Sequence, residues 1–261
     1  MPNAENYIWP FDEDNPNALI MKKAKRSLDL IDLESDEYEL VIFDLETTGL
    51  RDHSDRIIQI GAMVHSSSDE GLTFSSYIDP KVTISPTIQS LTGITPHLLR
   101  KSNAKSFSET WTAFSEWLTK VAESHREKNP NRSKGIVLMA HRAGFDLSFL
   151  AKEIKRAGHK DLSLGKTGVI AAIDTLAVFK ARSMWDYLNR EPPKSFSLTN
   201  LYQYLNGKQM GNAHDALGDV MGLNEIISKH NITSKLKEIA TSGVGQIRVP
   251  ITEEELSILQ N

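Results

Sequence analysis

The chain has 261 residues, of which 39% are hydrophobic and 25% are charged, and its formal net charge is −4. This balance fits one globular domain with tails and argues against a polycation that coats long duplexes. The chain has no cysteine, which excludes disulfides, thiolate zinc sites and a cysteine nucleophile. The sequence shows neither a bilayer-spanning apolar run nor a secretory signal. We therefore expect an intracellular protein, cytoplasmic or nuclear, with no membrane partner.

Three segments are distinguished by their patterns. Residues 1–37 form an N-terminal extension with prolines and mixed charge. Its basic cluster over residues 22–26 is interpreted as a solvated helix face, with nuclear targeting or substrate contact as alternatives. Residues 38–230 carry the regular patterns of a folded domain. Residues 231–261 form a C-terminal tail of unknown role, with a short helix expected over residues 252–260.

Apolar runs and helical periodicities alternate along the domain. The expected strands cover residues 40–43, 56–64, 72–78, 136–139 and 169–173. The expected helices begin at 107 and after 175, and cover 145–156, 198–205 and 215–228. Ser106 and Glu109 are spaced as a capping box before the first of these helices. This order predicts an α/β domain with a mixed five-stranded sheet flanked by helices.

Two acids, Asp44 and Glu46, follow the first predicted strand directly. Residues two apart in a strand point to the same face, so these carboxylates project together while Leu45 turns toward the core. Such neighbours repel each other unless they are protonated or bind a cation, and hard oxygen ligands suit magnesium or manganese. The simpler interpretation of an isolated Asp-x-Glu is a solvated strand end.

Further chemistry-bearing residues lie at two predicted helix starts. Asp146 follows an apolar strand at the start of a helix, where the dipole favours an anion, and a capping role alone is the alternative. Five helical residues rotate by about 140°, so His214 and Asp219 do not share a helix face. We therefore expect His214 in the preceding loop, Asp215 at the helix start and Asp219 one turn inside. A capping or surface role is the alternative for His214.

Taken in order, these sites resemble a known family. The stretches Phe43-Asp44-Leu45-Glu46-Thr47-Thr48-Gly49, Phe145-Asp146 and His214-x4-Asp219 resemble the three motifs of the DEDDh 3′–5′ exonucleases. That family is the DnaQ-like branch of the ribonuclease H-like fold. The resemblance covers roughly residues 38–230. In motif style the chain is similar to the three-prime repair exonucleases and bacterial exonuclease I.

The resemblance implies a hydrolase that releases nucleoside 5′-monophosphates with two divalent metal ions, Mg²⁺ or its substitute Mn²⁺. Asp44, Glu46, Asp146 and Asp219 would be the metal ligands, with Asp44 bridging both ions. Glu46 and His214 would be the catalytic residues. His214 would serve as general base, because an imidazole accepts a proton near neutral pH.

The resemblance also implies a substrate, single-stranded DNA or 3′ overhangs. Thr47 and Leu50 would meet the 3′-terminal nucleotide, and Leu91 and Ile94 would press against its base or simply belong to the core. Arg142 stands where many relatives have asparagine, and it would bind a phosphate or pair with an acid. Four more basic residues are interpreted as backbone contacts or as solvated surface: Lys180, Arg182, Arg190 and Lys194.

Three alternatives remain open at this stage. The chain could be an RNA-trimming exoribonuclease, because metal-assisted hydrolysis attacks DNA and RNA alike. It could be a proofreading subunit held by a polymerase through residues 1–37 or 231–261. It could also be a non-catalytic binding module on the same fold, although all five chemistry-bearing residues are present. A homodimer is allowed in each case.

Overall fold

The computed structural model describes residues 30–34, 37–65, 72–158 and 164–249. The basic cluster at 22–26 and the helix expected over 252–260 lie outside these ranges. Within them, six strands form one sheet in the spatial order β3-β2-β1-β4-β5-β6. The strands are β1 (Tyr38–Thr47), β2 (Ile57–Val64), β3 (Thr73–Tyr77), β4 (Gly135–Ala140), β5 (Val169–Asp174) and β6 (Gln246–Arg248).

The sheet is mixed, as the sequence predicts. The first three strands form an antiparallel meander, whereas β1, β4 and β5 are parallel to one another. The carboxyl ends of these three parallel strands therefore meet at one edge of the sheet. Ligand sites of open α/β sheets form at this kind of edge.

Nine helices surround the sheet in the described part of the chain. They are α1 (Pro86–Thr92), α2 (Pro96–Lys101), α3 (Phe107–Lys128), α4 (Ala143–Arg156), α5 (Thr175–Lys180), α6 (Arg182–Leu188), α7 (Leu198–Asn206), α8 (Ala216–Lys229) and α9 (Thr233–Thr241). The predicted capping box is confirmed at the start of α3, where Ser106 and Glu109 satisfy each other's backbone N–H groups. None of these helices is both long enough and apolar enough to span a bilayer.

Both faces of the sheet are covered. On one face, Val41, Phe43 and Leu45 of β1 pack in a core with the buried sides of α3 and α4. On the other face, Ile42 belongs to a core formed with α5 to α9. Side chains alternate along a strand, so Asp44 and Glu46 share the face of Ile42. That face looks toward α8.

The expected five-stranded sheet is corrected to six strands. The ordered fold continues past residue 230 through α9 and β6, and β6 pairs with β5 in antiparallel fashion. Ile31 and Gln246 exchange two hydrogen bonds, from the Ile31 N–H to Oε1 (2.7 Å) and from Nε2 to the Ile31 carbonyl (2.9 Å). Leu33 is fully buried against the same side. Residues 30–34 therefore pack beside the segment that follows α9.

Candidate active site

Four carboxylates converge at the carboxyl edge of the parallel strands. Asp44 and Glu46 lie at the end of β1, Asp146 lies in the first turn of α4 after β4, and Asp219 lies in the first turn of α8. The pairing of β1 with β2 shifts register between Glu46 and Thr47. Such a bulge turns side chains at the end of a strand. The four acids proposed from sequence thus come from three elements that meet at one edge.

Burial and mutual repulsion raise the pKa values of these acids. The pKa of Asp44 lies well above its usual range because of burial and then the charges of Asp146, Asp219 and Glu46. Burial, followed by the charges of Asp219 and Asp215, raises the pKa of Glu46 to about 8. Burial raises the pKa of Asp219 to about 6. The strongest charge effects on Asp44 are those of other carboxylates, so the cluster attracts cations.

Asp146 is held by β1 as well as by its own helix. It is 2% exposed, and burial raises its pKa well above the usual range, partly opposed by backbone hydrogen bonds from Asp146 itself and from Leu45. The helix-capping alternative does not describe this position. The N-cap of α4 is Arg142, and Asp146 lies inside the helix. The carboxylate therefore links the start of α4 to the strand that carries Asp44 and Glu46.

His214 lies in the loop before α8, as the sequence predicts. Its backbone is left-handed, with a φ of 62°, and its N–H donates to Asp219 Oδ1 at 3.2 Å. The side chain is exposed. One ligand atom each of Glu46, His214 and Asp219 lies within 4.8 Å of the other two. His214 therefore borders the same small volume as two of the acids.

This donor set fits a divalent metal ion. Carboxylate oxygens and one imidazole nitrogen are ligands that magnesium, manganese or zinc accept. The buried acids have no opposing charge among their strongest neighbours, and a bound cation would remove the repulsion that raises their pKa values. Asp146 and Glu46 are buried, at 2% and 9% exposed, whereas the side chain of His214 is exposed. The site thus has buried ligands below and an exposed imidazole at its opening.

Sequence reasoning did not assign a role to two residues of β2, Gln59 and Gly61. Gln59 lies opposite Glu46, and Gly61 lies opposite Asp44. A Cβ on Gly61 would lie 2.5 Å from the backbone of Ala216, so this glycine lets α8 approach the sheet closely. A buried polar residue in an apolar strand was the available signal for Gln59.

A second group of contacts lies at the carboxyl ends of β4 and β5. His141 Nε2 donates to the Phe196 carbonyl at 2.7 Å, and its Nδ1 lies 3.1 Å from Thr175 Oγ1. Burial lowers the pKa of His141, so the neutral imidazole is favoured. The Arg142 N–H donates to Asp174 Oδ1 at 3.1 Å. These contacts tie the ends of both strands to the segment before α7.

The predicted substrate residues have different environments. Leu50 is 79% exposed and Leu91 is 50% exposed, whereas Ile94 is 1% exposed. The expectation that Ile94 presses against a base is corrected, because its side chain packs in a core cluster that includes Ile58 and Leu99. Leu91 does not belong to the core, because half of its surface is exposed.

Thr47 and Arg142 complete the predicted substrate set. Thr47 is buried and its hydroxyl donates to the Gly49 carbonyl, so it shapes the loop after β1. Arg142 is exposed with a φ of 85°, and its guanidinium lies 5.8 Å from the centre of the Phe145 ring. Of the four other basic residues, Arg182 is already paired with Asp186 and Glu191.

An open groove of about 680 Å³ is lined in part by the residues that directly follow β1, the strand of Asp44 and Glu46. It runs between the loop after β1 and the start of α1. Its apolar side chains are Leu50, Val82 and Ile88, and polar residues such as Arg51, Asp55 and Thr87 complete the lining. The groove therefore offers apolar surface on which a flat base can lie, together with polar groups.

Sequence comparisons identify the family. Residues 41–130 match the family model RNase_T, described as an exonuclease. The DNA polymerase III PolC-type protein of Caldanaerobacter subterraneus subsp. tengcongensis is 31% identical over 222 residues. That match covers 85% of this chain and 13% of the relative. The chain therefore corresponds to a small part of this relative.

Solved structures support the fold. The E. coli ExoI–ssDNA complex in its zinc-bound form has 20% identity and a TM-score of 0.59, covering 78% of this chain and 43% of that one. A 3′-exonuclease structure with histone mRNA stem-loop 3′-end recognition has 17% identity and a TM-score of 0.55, covering 85% and 71%. At these identities the likeness shows the ribonuclease H-like α/β fold alone. The family match and the sequence relative show that the chain carries an exonuclease domain of the RNase_T (DEDDh, DnaQ-like) family.

Proposed function

We propose that this chain is a 3′–5′ exonuclease that removes nucleotides from single-stranded DNA 3′ ends with two divalent metal ions, Mg²⁺ or Mn²⁺. One observation carries the proposal. Four buried or half-buried carboxylates from β1, α4 and α8 converge with an exposed imidazole at one edge of the sheet. A binding module would not need buried acids that destabilise each other.

The metal ligands we propose are Asp44, Glu46, Asp146 and Asp219. Bound divalent ions would neutralise the charge that develops on the phosphate and on the leaving oxygen. Asp44 lies among the other three acids, and each raises its pKa, which fits the ligand shared between two ions. Asp146 is positioned by α4 and Asp219 by α8, so the ligand set depends on how those helices meet β1.

Proton transfer is assigned to His214. Its exposed imidazole can reach a water molecule that approaches the phosphorus from the open side, and it can accept one proton from that water. The oxygen of the water bonds to phosphorus as the bond from phosphorus to the 3′ oxygen of the preceding nucleotide breaks. The leaving oxygen takes up a proton, and a nucleoside 5′-monophosphate is released.

Substrate recognition is assigned to the groove between the loop after β1 and the start of α1. Leu50 lines this groove, and Leu91 is an exposed apolar side chain of α1, the helix whose start borders it. We propose that both contact the terminal base. Thr47 would act through the loop that it shapes. Arg142 would contact a phosphate. Apolar contacts with a base are tolerant of sequence, which suits an enzyme that proceeds along any strand.

The test is digestion of matched oligonucleotides labelled at the 5′ end. Single-stranded DNA, single-stranded RNA and a DNA duplex with a recessed 3′ end are incubated with Mg²⁺, with Mn²⁺ and with chelator. We expect a ladder of progressively shorter labelled DNA with either metal and none with chelator. Faster shortening of RNA than of DNA would favour the exoribonuclease alternative. Absence of shortening of every substrate would contradict the proposal.

A polymerase-associated proofreading role is the second candidate. It is favoured by the match of 85% of this chain to part of a DNA polymerase III PolC-type protein. A proofreading enzyme should remove a mismatched 3′ nucleotide from a primer–template faster than a matched one, and it should copurify with a polymerase. Equal rates on both primers and no polymerase in the purified complex would argue for a free exonuclease.

A further inference from the structure

Gln59 is a polar side chain buried inside β2. It is 1% exposed and is flanked along the strand by the apolar Ile58 and Ile60. Its backbone lies opposite Glu46 in the antiparallel pair with β1. A buried amide costs free energy unless its donor and acceptor are both used. Its contacts therefore show what the side chain is needed for.

Both ends of the Gln59 amide bind the start of α8. Nε2 donates to Asp215 Oδ1 at 2.9 Å, and Oε1 accepts from the Ala216 N–H at 3.1 Å. Ala216 is the first residue of α8, so its N–H has no partner inside the helix. Asp215 occupies the N-cap position but makes no side-chain capping bond. Gln59 supplies this cap from a neighbouring strand.

The start of α8 also carries two residues of the acidic site. The Asp219 N–H donates to the Asp215 carbonyl at 2.8 Å, and the His214 N–H donates to Asp219 Oδ1 at 3.2 Å. Gly61, two residues along β2, removes the side chain that would hold α8 away. The two residues of β2 therefore act in complementary ways, one by attraction and one by leaving space.

We propose that Gln59 is a positioning residue that places Asp219 and His214 over Glu46 through Asp215 and Ala216. Its effect on catalysis rests on the exonuclease function proposed above, whereas its effect on metal binding does not. An amide is required because it offers one donor and one acceptor. A glutamate offers two acceptors and would face Asp215 with like charge, and a methionine offers neither bond.

A reciprocal exchange of the two side chains tests this role. The variants are Gln59→Glu, Asp215→Asn and the double variant, with Gln59→Met as a neutral substitution of similar size. In the double variant the introduced asparagine amide can donate to the introduced carboxylate, which still accepts from the Ala216 N–H, so the bonds and the net charge are retained. The matched control is Gln246→Glu, because Gln246 also joins segments through both amide atoms but binds Ile31 and Ala240.

Two measurements are made on each variant: the rise in melting temperature on adding Mn²⁺, and single-turnover nucleotide release against oligonucleotide concentration. For Gln59→Glu and Gln59→Met we expect Mn²⁺ affinity or release rate to fall about 10–100-fold, the usual effect of losing a contact behind a metal ligand. Half-saturation by the oligonucleotide should stay unchanged. The double variant should recover most of the loss. Gln246→Glu should lower the melting temperature without changing metal affinity or release rate.

Three outcomes would overturn the role. They are wild-type metal affinity and rate in both Gln59 variants, a double variant no better than Gln59→Glu, and an equal loss of metal affinity in Gln246→Glu. If the wild-type protein releases no nucleotide, the exonuclease proposal fails while the Mn²⁺ measurement still decides the role of Gln59.

Discussion

Gly61 of β2 lies directly beneath Ala216, the first residue of α8. A Cβ at position 61 would lie 2.5 Å from the Ala216 carbonyl carbon and 2.7 Å from its oxygen. Both neighbours are backbone atoms, so no side-chain rotation can relieve the contact. The distance between the sheet and the helix that carries Asp219 is therefore set by the absence of one methyl group.

Gly61→Ala should displace the start of α8 from the sheet. We expect a loss of about 1–3 kcal/mol in the free energy of unfolding, as for other overpacked interiors, together with a loss of metal affinity. Denaturant unfolding and the Mn²⁺-induced rise in melting temperature measure the two effects. Gly211→Ala is the matched control, because a Cβ there would meet nothing within 4 Å. Wild-type stability and metal affinity in Gly61→Ala would contradict this close approach.

Removing the central acid should separate activity from stability. Asp44→Asn should lower nucleotide release by roughly 10³-fold or more, because the proposed shared ligand is lost. The melting temperature of its metal-free form should rise, since burial and three other carboxylates disfavour a charge there. Release and melting are measured on the same preparation. A metal-free variant that melts below the wild-type protein would show that the repulsion is not significant.

His214→Ala should slow release without weakening metal binding to the same degree. Loss of a general base typically costs about 10²–10⁴-fold in rate. His214 is exposed, so its removal should leave the melting temperature close to wild type. The comparison is between single-turnover release and Mn²⁺ affinity. If affinity falls as much as rate, the imidazole acts as a metal ligand and the assignment as base is wrong.

The stability of the metal-free protein should depend on pH through Glu46. Its folded-state pKa is raised from 4.5 to about 8, so the folded form holds a proton that the unfolded chain has lost. Stability from this group is therefore present at low pH and is lost as pH rises toward about 8. Burial lowers the pKa values of His65 and His141. These two histidines therefore make stability rise with pH below about pH 6.5, which opposes the effect of Glu46 there.

The informative window is therefore about pH 6.5 to 8.5. We expect the melting temperature of the metal-free wild-type protein to fall across it, and the increase caused by Mg²⁺ to grow. Glu46→Gln should show a smaller fall, because it carries no titrating group at that position. A metal-free melting temperature that rises throughout this window would contradict the prediction.

Arg142→Asn should weaken substrate binding and relieve backbone strain. Asparagine adopts the left-handed region more readily than arginine, so relief at the φ of 85° should keep or raise stability, by up to about 1 kcal/mol. Loss of one phosphate contact should weaken binding of single-stranded DNA and reduce the slope of log affinity against log salt by about 0.7. Filter binding in the presence of chelator, at several salt concentrations, measures this slope. An unchanged slope would show that Arg142 contacts no phosphate.

The extent of prediction from sequence differs between the two sides of the site. The side formed by β1, α4 and α8 follows from local rules. The period of two in a strand brings Asp44 and Glu46 together, and the helical rotation places His214 outside α8. Both are properties of a few consecutive residues, and the structure has the same arrangement.

Leu91 and Ile94 show where such rules stop. They are three residues apart, yet one is 50% exposed and the other 1% exposed. Thr92 ends α1 and Gly93 follows with a left-handed φ of 71°, so the two side chains leave the chain in different directions. The direction of each side chain depends on which residues pack nearby, which for Ile94 are Ile58 and Leu99. No local sequence pattern predicts it.

The sequence by itself determined the α/β class, the first five strands, the identity of the four acids and the position of His214 before its helix. The class, the strands and the position of His214 follow from short-range periodicity, and the choice of the four acids as one set follows from the family resemblance. Tertiary structure decided the sixth strand, the core position of Ile94 and the hydrogen bonds from Gln59 to the start of α8. Gln59 and Ala216 are 157 residues apart. Pairings across such separations depend on the packing of the complete fold, which short-range patterns do not specify.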